Sequence, residues 1–438
     1  MENFFTRQNH RIYPDKGGVE YFSQDMGNQR FIWNHFLSLN IAKYETEKKF
    51  IFYNEMAGLL PKLKEEFPFL KLGYSAGLQQ TLRQLDTALK GSLKSTKNKV
   101  RKGFPKFKKF SGTGSVCYPQ AVKITNNSLS IPKFKGKIKI VDNGKGLPED
   151  YNSVTMTRSS SGKYHASFVV QTSIPDLVEL NSDSRAVGID MNSGHLVVLD
   201  DGSAIVNPRF LAAKEKRLKK YQRQHSRKVK GSSNRNKSRL KLARYHEKVA
   251  NARLDHVEKF TLDIVRNNDI VVVEDLNVKA MQKWNGRMIG SAPFGMIRSK
   301  LEWKCKREGK HFVKIGRYVP TSKACSGCGQ IHDMNLSKRW LSCDCGLELH
   351  RDHNAAINIL NVGLGIINDP TKNLTAGTAG LACGETKVTG RSVQWVSLKQ
   401  ETVRSRPNCS SSYQQRLCAF GYDNAREIGR KAKLVPRM

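Results

Sequence analysis

The 438-residue sequence predicts a multidomain α+β protein. A small N-terminal β-barrel carries a helical insert, and further strands, basic helices and a metal-binding cysteine knuckle follow. Three observations predict this. A stretch of helical periodicity is bracketed by short β-like pieces, two apolar strands further on each end in an acid, and four of the nine cysteines gather between positions 325 and 345.

The elements follow in order. RIYP (11–14) is expected to be a strand of the same sheet as the later β-like pieces. From about residue 17 to 100 the texture is helical. IWNHFLSLNIAKYETEKKF sets Phe36, Leu39 and Tyr44 near one face, and LQQTLRQLDTALKGSL repeats Leu78, Leu82, Leu85 and Leu89 at helical spacing. The punctuation changes at GFPKFKKFSGTG. KGKIKIV (135–141) and YHASFVVQTS (164–173) then read as strands among Gly, Asn and Pro clusters. AVGIDMNSGHLVVLDDGS (186–203) reads as a hairpin around Asn192-Ser193-Gly194, with a second turn at Asp201-Gly202. Residues 214–248 hold fifteen Lys or Arg and two acids, which predicts basic amphipathic helices joined at KGSSNRNKS. IVVVEDL (270–276) is a buried strand ending in acid, and HFVKIGRYVP supplies another before the cysteines. Past about residue 364 periodicity fades into Gly, Ser, Thr and Arg, the composition of a disordered tail.

Charge narrows the partners. Lys and Arg number 75 against 38 acids, a formal net charge of +37 that a polyanion would neutralise, so nucleic acid is the expected partner. The start, MENFFTRQNHRIYP, lacks the apolar core of a secretory signal, and no run of eighteen apolar residues occurs. A cytoplasmic, nucleoid-associated protein with no membrane partner is the expectation.

Cys325-x-x-Cys328 and Cys343-x-Cys345 stand fourteen residues apart, a spacing that suits four thiolates around a structural Zn²⁺. The second pair is CxC rather than CxxC, so His332 and His350 stand as alternative ligands. Just beyond, Asp352 heads a helical stretch with small residues at Ala355 and Ala356. Asp190 ends the strand GID and Glu274 ends VVVE. Each acid by itself reads equally well as a turn or capping residue. Together, carboxylates from two strand ends and a helix start are what a two-Mg²⁺ phosphodiester nuclease requires. Asp201, Asp275 and Asp369 compete for these roles. Asp275 is set aside because strand alternation turns it away from Glu274.

In order and context, GIDMNSGHLVVLDDG, VVVEDL, CSGCG with CDCG, and RDHNAAINIL resemble the split RuvC motifs and zinc ribbon of the TnpB family. RIYP, FIWNHFL, GFPKFK, PTSKACSGCG and LACGE match further, so the resemblance covers residues 1 to about 390. It implies a wedge β-barrel over 1–16 and 104–183 and a helical recognition lobe over 17–103. It implies an RNase-H-like RuvC domain over 184–317 and 350–390, a zinc ribbon over 318–349, and a basic tail over 391–438. It further implies Asp190, Glu274 and Asp352 as the Mg²⁺-binding catalytic triad, and Cys325, Cys328, Cys343 and Cys345 as zinc ligands. The implied activity is RNA-guided cleavage of duplex DNA beside a short adjacent motif, with a guide RNA from the transposon end. Lys219, Lys220 and Arg223 are candidate nucleic-acid contacts in the basic run. A DNA-binding repressor on the same scaffold would be expected to have lost acids of the triad. An accessory role in transposition is the other alternative. A tyrosine-type transposase would need a His-hydrophobic-His pair, which none of the eleven histidines forms.

Overall fold

The computed structural model describes residues 3–93, 103–110, 112–144, 146–335 and 337–368. The expected tail at 391–438, LACGE and the competitor Asp369 lie outside the described residues. The chain divides into two compact units, Met1–Ile174 with Ala213–Ala250, and Pro175–Ala212 with Asn251–Met438. The whole basic run, 214–248, therefore groups with the first unit.

In the first unit, strand β1 (Asn3–Tyr13) leads into helices α1 (Lys16–Glu47), α2 (Tyr53–Glu66) and α3 (Ser75–Leu93). Six strands follow: β2 (Gly114–Tyr118), β3 (Lys123–Thr125), β4 (Ser128–Ser130), β5 (Ile138–Val141), β6 (Ser153–Arg158) and β7 (Tyr164–Ser173). All seven form one antiparallel sheet in the order β2-β6-β7-β1-β5-β4-β3. β1, which contains RIY of RIYP, thus pairs with both β5 and β7 across the helical insert. Asp15 caps α1 by accepting the Gly18 N–H at 2.7 Å, and this fixes where strand gives way to helix.

Leu78, Leu82, Leu85 and Leu89 are fully buried, where they pack with Ile32, Phe36 and Leu37 of α1 and with Met56 and Leu60 of α2. Each such burial is worth about 1.5–3 kcal/mol. The reading of α1 needs one correction: Phe36 is core, but Leu39 and Tyr44 are exposed. The buried stripe runs through Ile32, Trp33, Phe36 and Leu37, the i, i+1, i+4, i+5 pattern of one helical face. Tyr44 lies against Phe50 with centroids 4.6 Å apart.

In the second unit, β8 (Ala186–Asp190), β9 (His195–Leu199) and β10 (Ala204–Val206) form a meander. The basic run becomes α4 (Phe210–Ser226) and α5 (Ser233–Asn267), of which 213–250 belong to the first unit; they join at 227–232, so the break precedes most of KGSSNRNKS. Then come β11 (Ile270–Glu274), α6 (Val278–Ser291), α7 (Phe294–Arg307) and β12 (His311–Ile315). The short hairpin β13 (Trp340–Ser342) and β14 (Glu348–His350) feeds directly into α8 (Arg351–Asn368).

The sheet order is β10-β9-β8-β11-β12, with β8, β11 and β12 parallel. Both its faces are covered. Val187, Ile189, Val271 and Val273 join the core that holds Val257, Phe260, Ile297 and Leu301 of α5 and α7. The alternate residues Ile270 and Val272 pack with Ile359 of α8. Among the described residues no helix is long and apolar enough to cross a membrane.

Candidate active site and metal centre

Strand alternation decides where the acids go. Residues 187, 189, 271 and 273 face the α5–α7 core, so Gly188 and Val272 face α8, and by period two Asp190 and Glu274 do the same. The parallel register pairs Val273 with Ile189, which places Glu274 opposite Asp190 at the next step. Neighbouring strands lie about 4.8 Å apart, so two carboxylates are forced together at the carboxyl ends of β8 and β11.

Close helix–sheet contact brings the third. A Cβ on Gly188 would stand 2.2 Å from the Ala356 carbonyl oxygen, and one on Gly363 would stand 2.3 Å from Val272 Cγ1. Without these glycines α8 would ride further out. Ala355 and Ala356 are buried at the contact, and Asp352, in the first turn of α8, is itself buried.

Electrostatics show that the acids interact. Burial, with the Asp352 charge adding, pushes Asp190 up to about 6 against the hydrogen bond from Asn192. Burial, then the charges of Asp190 and Asp275, pushes Glu274 up to about 7. Carboxyls shifted in this way hold their protons to higher pH than free ones. Glu274 has no salt-bridge partner among the described residues, and the Asp352 carboxylate accepts from the Arg351 Nε at 3.4 Å. Asp275 differs: Arg298 and Arg317 reach its two oxygens at 2.6 and 2.7 Å. It is neutralised by guanidinium groups and so is poorly placed to bind a cation.

Residues that the sequence reading passed over hold the acids in place. Asn192 Nδ2 donates to Asp190 at 3.0 Å, while its Oδ1 accepts from the N–H groups of Gly194 and His195. The turn that closes the hairpin thereby orients the carboxylate before it. The Asn-Ser-Gly pattern signals the turn, but nothing in it signals the bond to Asp190.

In the ribbon, the four cysteine sulfurs all lie within 4.8 Å of one another, with Cys325–Cys345 at 3.6 Å and Cys328–Cys343 at 3.5 Å. Sulfur atoms at the corners of a Zn–S tetrahedron with bonds of about 2.3 Å would be about 3.8 Å apart, so the donor set fits Zn²⁺. The Gln330 N–H lowers the Cys328 thiol to about 7, whereas burial raises Cys325, so the shifts within the cluster oppose one another. Gly346, at φ 88°, supplies the left-handed turn that lets CxC serve where CxxC is commoner. The cluster contains neither His332 nor His350; His350 instead packs on Trp340, 5.9 Å between centroids. Among the described residues the three acids do not form a metal-ligand group of the kind the four cysteines make.

The ribbon and α8 are stitched together by two buried amides. Asn354 accepts from the Ser326 N–H at 2.9 Å and donates to the Ala324 carbonyl at 2.7 Å. One turn on, Asn358 donates to the carbonyls of Thr321 and Ala324. The Arg351 N–H adds a bond to the Arg339 carbonyl at 2.8 Å. The first cysteine knuckle is thus bonded to the helix that carries Asp352. In the sequence these asparagines read only as polar residues at helical spacing.

Lys219, Lys220 and Arg223 lie on α4, apart in the chain from any of these acids and in the first unit. Lys219 pairs with Glu215 at 2.8 Å, but both side chains are exposed, so the pair is worth little and leaves the ammonium accessible. α4 meets α5 through Tyr221 and Tyr245, centroids 5.3 Å apart, with Arg217 over both rings. Charge reversal at Lys219, Lys220 and Arg223 should weaken nucleic-acid binding and flatten its salt dependence. The slope of log K against log salt should fall by roughly 0.7 per lost contact on a single strand, measured by titration at several salt concentrations.

Comparison with known proteins finds relatives over most of the chain. The IS605 OrfB family model, described as "Probable transposase", matches residues 168–285, and a "Cas12f1-like, TNB domain" model matches 294–359. A "Helix-turn-helix domain" model matches 6–49, where the chain forms β1 and the single helix α1. A Streptomyces pristinaespiralis protein named "Putative RNA-guided DNA endonuclease" is 33% identical over 413 residues, spanning 90% of this chain and 96% of that protein. The Escherichia coli K12 protein "Putative RNA-guided DNA endonuclease InsQ" is 32% identical, over 86% of this chain and 92% of its own length. A mimivirus "TnpB-like protein" is 34% identical over 131 residues, 28% of this chain and 25% of that one. Similarity of this extent across nearly whole chains, together with the family models over the segments that carry the acids and the ribbon, means that the chain belongs to the TnpB family of transposon-associated proteins.

Proposed function

We propose that this chain is an RNA-guided DNA endonuclease that hydrolyses phosphodiester bonds at Asp190, Glu274 and Asp352. The observation that carries the reading is the convergence of two strand-end acids and one helix-start acid on the α8 face, with raised carboxyl pKa values where they meet. When bound there, two Mg²⁺ ions supply the Lewis acidity for the hydrolysis. Asp190 and Glu274 present oxygens from adjacent strands, and Asp352 presents its own from across the helix–sheet contact. Arg298 and Arg317 hold Asp275 out of the site. The cysteines hold one structural Zn²⁺.

The domain plan expected from sequence supports the same reading. The seven-stranded sheet would be the wedge, with α1–α3 as its recognition lobe over 17–103. The five-stranded sheet with α8 would be the RuvC-like domain, with the ribbon inserted at 318–349. Base pairing with a guide RNA would supply sequence specificity, and the basic surface would hold the duplex backbone.

The test is to sequence the RNA that copurifies with the protein and to supply DNA that matches it. One enriched species of defined sequence, mapping beside the gene at the transposon end, and cleavage of matched DNA are expected. Heterogeneous cellular RNA with no enriched species, or binding without cleavage in any divalent ion, would overturn the reading.

A further inference from the structure

The segment Phe104–Phe110 follows the helical insert and forms neither helix nor strand, yet side chains of α1 pin it in place. The Trp33 Nε1–H donates to the Lys106 carbonyl at 3.0 Å. Asn34 both donates to the Lys108 carbonyl and accepts from its N–H, at 3.0 and 2.8 Å. Lys108 Nζ sits 3.8 Å above the Trp33 ring, and Arg30 lies 5.2 Å over Phe110. At the other end Phe104 approaches Phe50, which stacks on Tyr44. These contacts run the segment antiparallel to α1. From Arg30 to Tyr44 the helix rises about 21 Å. Six residues span a similar distance only when nearly extended, about 20 Å.

A pinned, extended segment of this kind would normally turn its apolar side chains inward. Here Phe104, Phe107 and Phe110 are 42, 50 and 78% exposed. Their spacing of three suits a polyproline II path, which Pro105 favours and in which every third side chain shares one ridge, about 9 Å apart. Lys106, Lys108 and Lys109 stand between the rings, and residues 102–110 contain no acid.

We propose that Phe104, Phe107 and Phe110 form a stacking ridge for unpaired bases of a bound RNA, with Lys106 and Lys109 on its phosphates. Alternating aromatic and cationic residues match a polyanion whose bases expose π-faces. A gap of about 9 Å admits a base between rings, and a duplex has no unstacked base to offer. RNA is favoured over a DNA strand because an exposed apolar ridge needs a resident cover, whereas target DNA visits only briefly. The proposal rests on the reading of the chain as an RNA-bound protein and is independent of the nuclease acids.

The test measures affinity of the copurified RNA, re-bound after stripping, for wild type, Phe107→Ala, Phe110→Ala, and Phe110→Trp and Phe110→Leu. Their exposure leaves thermal unfolding unchanged by either alanine, which is checked first. Each alanine should weaken binding about tenfold with an unaltered salt slope, Trp should retain affinity and Leu should not. In wild type, 4-thiouridine placed in single-stranded positions of the RNA should crosslink to the peptide containing Phe107 and Phe110. Equal affinity for Phe, Leu and Ala variants, or crosslinking of this peptide to a DNA strand only, would overturn the ridge while leaving the endonuclease reading in place. Wild-type protein that holds no RNA would overturn both.

Discussion

Asp190→Ala, Glu274→Ala and Asp352→Ala should each abolish cleavage of guide-matched DNA while leaving RNA and DNA binding intact. Each removes one carboxylate from a site that must place two divalent ions together, so losses of several orders of magnitude are expected. The triple variant should be scarcely worse than any single one, because the residues act as a unit. Ca²⁺ should support binding but little cleavage, and chelation of Mg²⁺ should stop the reaction. A gel of labelled target beside a binding titration separates the two effects. Undiminished cleavage by Asp190→Ala would remove the proposed site.

The pKa shifts add a sign that can be checked without activity. Glu274 at about 7 and Asp190 at about 6 bind more protons folded than unfolded between roughly pH 4 and 7. Their contribution to the stability of the metal-free protein is therefore present at low pH and is lost as pH rises through 6 to 7. Alanine at either position should leave the protein more heat-stable than wild type at pH 8 in chelator, and no more so at pH 4. In wild type the Mg²⁺ concentration needed for half-maximal cleavage should rise as pH falls from 8 to 6, since protons compete with the ions.

Cys343→Ser, or removal of zinc, should lower cleavage by about 10- to 100-fold, as losses in the surroundings of a metal site commonly do. Elemental analysis should find about one zinc per wild-type chain. The path runs from the thiolate cluster through the knuckle backbone at 321–326 to Asn354 and Asn358, and so to the turn of α8 that holds Asp352. Loosening the knuckle should free those amides, seen as faster hydrogen exchange in the first two turns of α8. RNA binding should persist, because the pinned segment and α1–α3 belong to the other unit. Normal cleavage by Cys343→Ser, with no zinc in the wild type, would refute the coupling. The hairpin β13–β14 runs straight into α8, and the buried amides tie the helix to the knuckle, so Asp352 stands close behind the cysteines.

The motif residues were legible in the sequence because their signals are local. A Cys spacing, a Leu repeat, an Asn-Ser-Gly turn and an apolar strand ending in acid each follow from backbone geometry over a few residues. Leu78, Leu82, Leu85 and Leu89 are all buried, and β7 spans the residues read as a strand. Where signals compete locally, the reading slipped. Leu39 and Tyr44 are apolar residues on the exposed face of α1, because the partners for its buried stripe come from α2 and α3.

Convergence was decided only by tertiary structure. The sequence presented six acids at turns and ends, and strand alternation separated Glu274 from Asp275 without showing which acids would meet. Parallel pairing of β8 with β11 puts Glu274 beside Asp190, two arginines from distant segments neutralise Asp275, and Gly188 and Gly363 let α8 approach closely. Asn354 and Asn358 likewise acquire their roles from carbonyls some thirty residues away in the chain. Sequence spacing dictates side-chain type and direction within one element. Which elements meet depends on burying both faces of a sheet at once, and that is a property of the whole packed domain.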